Sequence, residues 1–238
     1  NGAISALNVS NNAAIVVNRS GAVGLSSAIT GTGSLTKIGN GTLTLSGART
    51  YTGPTTLTAG GLQIDGSLSG GGAVTSAAGT LFGGGGSVTG PVTVGGTLNP
   101  GAVNAVGTFT ASGAMTLASG STATFDLNGA NPSPGFNDAV MVGGNLNVNN
   151  NTVTANFLGV PVAGTLYPLF TYSGALSGTF NPAVSGSHFT LALDTVSSPG
   201  TVYLQVAGGS GANLKWTGAT DNTWDSTVTN WMDVNSSA

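Results

Sequence analysis

The sequence predicts an all-β fold, a parallel β-solenoid of short strands joined by Gly-rich corners. Three observations carry this. Apolar residues alternate with Thr over short blocks, Gly punctuates the blocks, and residues 31–64 string three or four such blocks together. In that stretch Gly39 and Gly41 bracket one corner, Gly47 starts the next and Gly60-Gly61 makes a third. Leu43 and Leu45 alternate with Thr42 and Thr44. Successive strand side chains point to opposite faces, so the leucines share one face and the threonines the other. So short a strand cannot bury its apolar face alone. It needs a similar strand stacked above and below, which is the logic of a solenoid.

The pattern LTK-x-G-x-GTLTLSG…YTG-x-T-x-L-x-x-G-x-L also resembles the autotransporter-associated β-strand repeat, or passenger-associated transport repeat. Lys37, the block Gly39–Gly47, Tyr51-Thr52-Gly53, Thr55 and Gly60 sit where that motif has them, whereas Pro54 stands where a second Gly is commoner. The motif covers about a seventh of the chain, and the remainder resembles the looser sequence that flanks it. The resemblance implies a right-handed parallel β-helix, secreted by a bacterium and exposed at the cell surface.

Composition narrows the field further. Charged residues are 5% of the chain, against roughly 25% in ordinary soluble domains. Gly is 41 of 238, more than twice the usual share of about 7%. Evenly spaced Leu, Val and Phe argue against disorder, because disordered chains lack the apolar surface that offsets ordering entropy. Absence of Cys removes disulfides and thiolate metal sites. No apolar run reaches about 18 residues, so no helical membrane span is expected. A net charge of −3 argues against nucleic acid, which needs a basic surface. The chain opens at Asn1 without a signal-like segment and reads as a portion of something longer.

Taken in order, residues 1–30 read as strand–turn coils around Ala6–Val9, Ala14–Val17 and Ala22–Leu25, with no obvious polar cap on the first. In residues 66–107 the apolar positions are Val74, Leu81, Val88, Val92, Val94 and Leu98, with Gly83–Gly86 as a corner and Gly96–Gly101 as a turn by its Pro-Gly pair. Residues 108–157 carry longer period-two strands, through Phe109, Met115/Leu117, Ala123/Phe125/Leu127, Val140/Val142, Leu146/Val148 and Val153/Ala155/Phe157. The stretch 128–137, NGANPSPGFN, is a loop excursion, which a solenoid tolerates without breaking its stack. Asn147, Asn149, Asn150 and Asn151 mark the next corner, read as a plain turn ahead of a stacked-Asn ladder. Tyr167, Phe170, Tyr172, Phe180, Phe189 and Tyr203 suggest a wider core, with an aromatic sugar platform as the alternative. A hairpin-like connection, DTVSSPG, separates His188–Leu193 from Thr201–Val206.

Residues 1–212 therefore form one module. Residues 213–238 hold all three Trp and three of the seven Asp. Their W-x-G…WD…NW pattern resembles the start of a following module in this family, with a C-terminal cap as the alternative.

Chemistry is sparse. Glycan cleavage usually needs two carboxylates at a set separation, and the carboxylates are Asp65, Asp126, Asp138, Asp194, Asp221, Asp225 and Asp233. Asp126 and Asp138 flank the loop and can approach each other, yet the favoured role for Asp138 is to close the loop on backbone amides. His188 is the only histidine and no G-x-S-x-G elbow accompanies it. No catalytic residue, cofactor or metal site is expected. Weak ligand candidates are Trp216, Asp221, Trp224, Asp225 and Trp231. With so few titratable groups, stability is expected to vary little between pH 7 and about pH 3.

The expected role is structural: a stalk, coat or fibre segment outside a bacterial cell, associating end to end or laterally with copies of itself. An adhesin that binds host or matrix glycans is the first alternative. A β-helical polysaccharide lyase or hydrolase is the second. At about 20 residues per coil the chain would supply a dozen coils, a rod on the order of 55 Å.

Overall fold

The computed structural model describes residues 8–101, 105–185, 190–207, 214–216 and 231–233. The chain winds as a parallel β-solenoid with three faces, each built by strands that recur once per coil. Face one begins with Val9–Ser10, Ile29–Thr30 and Ala48–Arg49, and later holds Thr108–Ala111, Ala139–Val142 and Leu166–Tyr172. Face two runs from Ala14–Asn18 and Ser34–Ile38 to Leu146–Asn147 and Leu176–Ser177. Face three runs from Val23–Leu25 and Thr42–Leu45 to Asn151–Leu158 and Phe180–Ser185. Faces two and three have eight strands each, so the described residues make eight coils. At about 4.8 Å between strands the stack is about 34 Å long.

Coil size also changes along the stack. Early coils take about 20 residues, with Val23 paired to Leu43 and Leu43 to Leu62. Later coils take about 30, with Phe109 paired to Val140, Met115 to Leu146 and Ala123 to Val153. Face three lengthens from Thr42–Leu45 to Asn151–Leu158. The extra loop length leaves at one corner, from face three to face one. That corner is residues 46–47, 65–66 and 85–86 in narrow coils, and 129–138 and 159–165 in wide ones. The other two corners stay short throughout, the longest being 50–54 and 69–73.

The inward alternation is as the sequence predicts. Leu35, Leu43, Leu45, Leu57, Leu62 and Ile64 are fully buried, as are Phe109, Met115, Phe125 and Val140 in the later coils. At residues 81–84 the inward residue is Phe82 and not Leu81, because the strand register pairs Phe82 with Leu62 and Leu98. Gly83 and Gly84 belong to that strand, so only 85–86 form the corner. Thr97–Pro100 is likewise a strand and not a turn: it pairs in parallel with Leu81–Gly84. Pro100 occupies the strand end, where a lost N–H donor is tolerated.

Corner glycines serve two separate purposes. Gly39 has φ 78°, a left-handed angle that side chains disfavour. A Cβ on Gly41 would lie 2.1 Å from the carbonyl oxygen of Gly21, so coil stacking itself demands glycine there.

The two ends differ. At the first described coil Val9, Ile15, Val17 and Val23 are only half-buried and line a cavity of about 480 Å³. At the other end the parallel winding stops. Thr201–Ala207 pairs antiparallel with Leu166–Tyr172, and Thr190–Asp194 pairs antiparallel with Thr201–Ala207. Val202, Leu204 and Val206 of this hairpin are fully buried, so it closes that part of the core.

Candidate functional site

Ionisable side chains are so few that each can be followed. The first surprise lies inside the repeat. Lys37 is fully buried beside Leu35, and its Nζ donates to the carbonyl oxygens of Ile38 (3.0 Å), Gly39 (2.6 Å) and Ala59 (3.2 Å). Three donors meet three acceptors, and Ala59 belongs to the next coil, so the ammonium bolts two coils together. Arg49 is equally buried. It donates to Gly47 O at 2.5 Å and to Leu25 O of the preceding coil, while its Nε has no partner among the described residues. Burial lowers the pKa of both cations. Beside them Tyr51 Oη and Thr55 Oγ1 are 2.5 Å apart in the core, and burial raises the Tyr51 pKa.

Local alternation points to Lys37, whereas only the register between coils points to Arg49. Period-two alternation puts Lys37 on the face of Leu35. The coil register puts Arg49 in one row with Ile29 and Leu68.

The second cluster surrounds the 128–137 excursion. Asp138 is fully buried, and its carboxylate accepts from the backbone N–H of Gly107 (2.7 Å) and of Asp126 (2.8 Å). Its own N–H donates to Asp126 O at 2.9 Å. The expected loop-closing role is what the geometry shows. Burial pushes the Asp138 pKa up to about 7; the two amide donors oppose this and the nearby Asp126 carboxylate adds to it. Asp126, also buried, accepts from Asn156 Nδ2 at 2.6 Å through one oxygen, and its other oxygen has no protein donor.

Asn137 fastens the loop from within. Its Oδ1 accepts from Asn128 N, and its Nδ2 donates to Asn131 O and Ser133 O. Tyr167 Oη donates to Gly129 O at 2.7 Å from the next coil. The outside of this corner presents Phe136, Val160 and Val162, all exposed.

Other sequence candidates resolve as structure. Asp194 is half-buried, and its Oδ1 accepts from Val196 and Ser197 N–H, closing the hairpin turn; a hydrogen bond from the Ser197 side chain, together with these two, lowers its pKa. Asp65 Oδ1 accepts from Gly85 N at 3.3 Å. The Asn corner is more than a plain turn. Asn149 Nδ2 reaches Leu117 O, and Asn151 Nδ2 reaches Ala118 O, Ser121 O and Ser121 Oγ in the preceding coil. Only Asn150 takes a left-handed φ, at 56°. Tyr167 and Phe170 are core residues, packed edge-on against Phe157 and Phe125 at 5.6 and 5.2 Å, which favours the wide-core reading over a sugar platform. His188 and Phe189 lie outside the described residues, as do Asp221, Trp224 and Asp225. Trp216 and Trp231 are register partners in an antiparallel pair, Leu214–Trp216 with Trp231–Asp233.

The passenger-associated-transport-repeat model matches residues 35–64. The chain carries that repeat. Its match begins at the fully buried Leu35 and ends at the fully buried Ile64. The repeat thus contains Lys37, its acceptors, Arg49 and the Tyr51–Thr55 pair, and it is associated with autotransporter passengers. No curated protein matches the chain.

Proposed function

We propose that this chain is a structural solenoid segment of a secreted bacterial surface protein, serving as stalk or coat. The observation that carries this reading is the use of the ionisable groups. Lys37, Arg49, Asp126 and Asp138 are buried and hydrogen-bonded across coils, so the chemistry available to them is spent on stacking. The repeat supports a surface location. The hairpin on the last described coil favours lateral association over end-to-end stacking, because it occupies the edge that a following coil would need.

The test is electron microscopy of the host cell with antibody against this chain. Labelled rods or bundles at the envelope are the expected result. Label confined to the cell interior rejects the reading.

A second reading has one specific observation behind it. Phe136, Val160 and Val162 project from the widened corner, where an adhesin would carry recognition loops. Substituting Phe136→Ser and Val160→Ser would abolish binding of the purified chain to host-cell or matrix glycans if this reading holds. Unchanged binding removes the corner from consideration.

A further inference from the structure

The outward side of face two sets itself apart from the rest of the surface. A single row in direct register runs through Thr36, Thr56, Thr75, Thr93 and Thr116. Val16 continues it at one end, Asn147 and Ser177 at the other. The ranks on either side are mostly small, and no charged side chain points outward from these eight strands. Lys37 lies on one of them, but it points inward. The two corners that border face two stay short in every coil, while the excursions 129–138 and 159–165 leave from the corner between the other two faces. Among the described residues the strip is therefore unobstructed along the stack.

We infer that the outer side of face two is a lateral self-association surface, and that its occupant is face two of a second copy of this chain. This rests on the structural reading above and deepens it. The strand spacing of a second copy matches this one along its entire length, about 4.8 Å per coil, so rows of Thr interdigitate without accumulating mismatch. Two such faces bring no charge out of water and meet no like-charge repulsion. Small side chains permit the close approach of about 10 Å seen between packed sheets. Eight strands of two to five residues give about 400 Å² per copy, so a pair buries about 800 Å², below the range of stable specific interfaces and in that of weak contacts. That area suits a reversible pair that strengthens when copies are aligned on one surface.

Sedimentation velocity of the purified chain over a concentration series tests this. The wild type is expected to pass reversibly from monomer to dimer. The double variant Thr56→Lys/Thr93→Lys is expected to stay monomeric, since the lysines of two copies oppose each other. A control, Ser69→Lys/Ser133→Lys, adds the same charge at exposed positions off face two and is expected to dimerise like the wild type. Circular dichroism with thermal melting confirms that all three fold. The chain has no Cys, so Thr75→Cys supplies a clean positional probe. A disulfide-linked dimer that forms on oxidation, and is lost when the Thr56 and Thr93 lysines are added, places the contact on face two.

A wild type that stays monomeric at every concentration overturns the inference. So does dimerisation insensitive to the face-two lysines, or retention on a flat insoluble polysaccharide without any dimer. The assay uses purified protein, so its outcome does not depend on where the host places the chain. Envelope labelling without dimerisation would reject this surface and leave the structural role standing.

Discussion

The narrow coils and the wide coils fill the same three-faced frame by different means. Up to Ile64 the core is Leu and Ile, with Tyr51 the one buried aromatic, and Lys37 and Arg49 fill corners by donating to backbone carbonyls. From Phe82 onward aromatic rings do the filling, with edge-on pairs Phe82–Phe109 at 5.3 Å and Phe125–Phe170 at 5.2 Å. Buried Asp and Asn of the wide half bind backbone amides or carbonyls, Asn137 and Asp138 at the lengthened corner and Asn151 at the corner between faces two and three. The coils before Phe82 hold no ring but Tyr51, and long cationic side chains thread their corners. A coil of about 30 residues has room for rings, but its long corner exposes amides that need acceptors. Face two is common to both halves, because the growth occurs away from it.

Substitutions can break this comparison, and the largest effect belongs to the wide core. Phe170→Ala removes a fully buried ring that touches Phe125 and Phe180, and should cost about 3–5 kcal/mol by urea denaturation. A loss under 1 kcal/mol would show that the wide coils do not depend on ring packing. Next comes stacking distance in the narrow half. Gly41→Ala, with its Cβ driven against Gly21 O, should lose about 1–3 kcal/mol, whereas Gly24→Ala, with open space around it, should stay within about 0.5 kcal/mol of wild type. Equal effects would refute the stacking role. Lys37→Met keeps the length of the side chain and leaves three carbonyls without their donor. A loss of about 1–3 kcal/mol is expected, moderated because a buried charge is removed with it.

The effect set by pH sharpens the contrast. Asp138 has its pKa raised to about 7 in the fold, against 3.8 as a free side chain. Its contribution to stability is fully present below about pH 3.8 and is lost as pH rises through about 7. The melting temperature should therefore rise as pH falls from 8 to 4, and Asp138→Asn should flatten that slope. Asp194 runs the other way, since its lowered pKa gives stability that is lost in stronger acid. The flat profile expected from the low count of titratable groups is thus replaced by a slope that Asp138 sets between pH 8 and 4 and that Asp194 opposes in stronger acid. A falling melting temperature over this window would show that Asp138 stays charged when buried.

Much of this fold was legible in the chain, and the legible part has a pattern. Leu43/Leu45, Met115/Leu117 and Val153/Ala155 announce their inward positions because period-two alternation is a local property of a strand. The same rule already contained Lys37, which shares the parity of Leu35. Leu81 against Phe82 and the Pro-Gly at 100–101 misled for one reason: both depend on register with the neighbouring coil, which Leu62 and Thr97 decide. For the candidate site, the loop-closing role of Asp138 followed from its place beside NGANPSPGFN, while the partners Gly107 and Asn156 lie too far along the chain to be inferred.

The sequence by itself determined a solenoid of short strands, the repeat at its start, the excursion at 128–137 and the inward rows. These follow from alternation, glycine placement and composition, all of which act over a few residues. Only the tertiary structure decided how many residues each coil takes, which corner absorbs the growth, and that two cations and two carboxylates are buried. Those features arise where residues about 20 to 30 positions apart meet across stacked coils, and a contact at that range has no local signature.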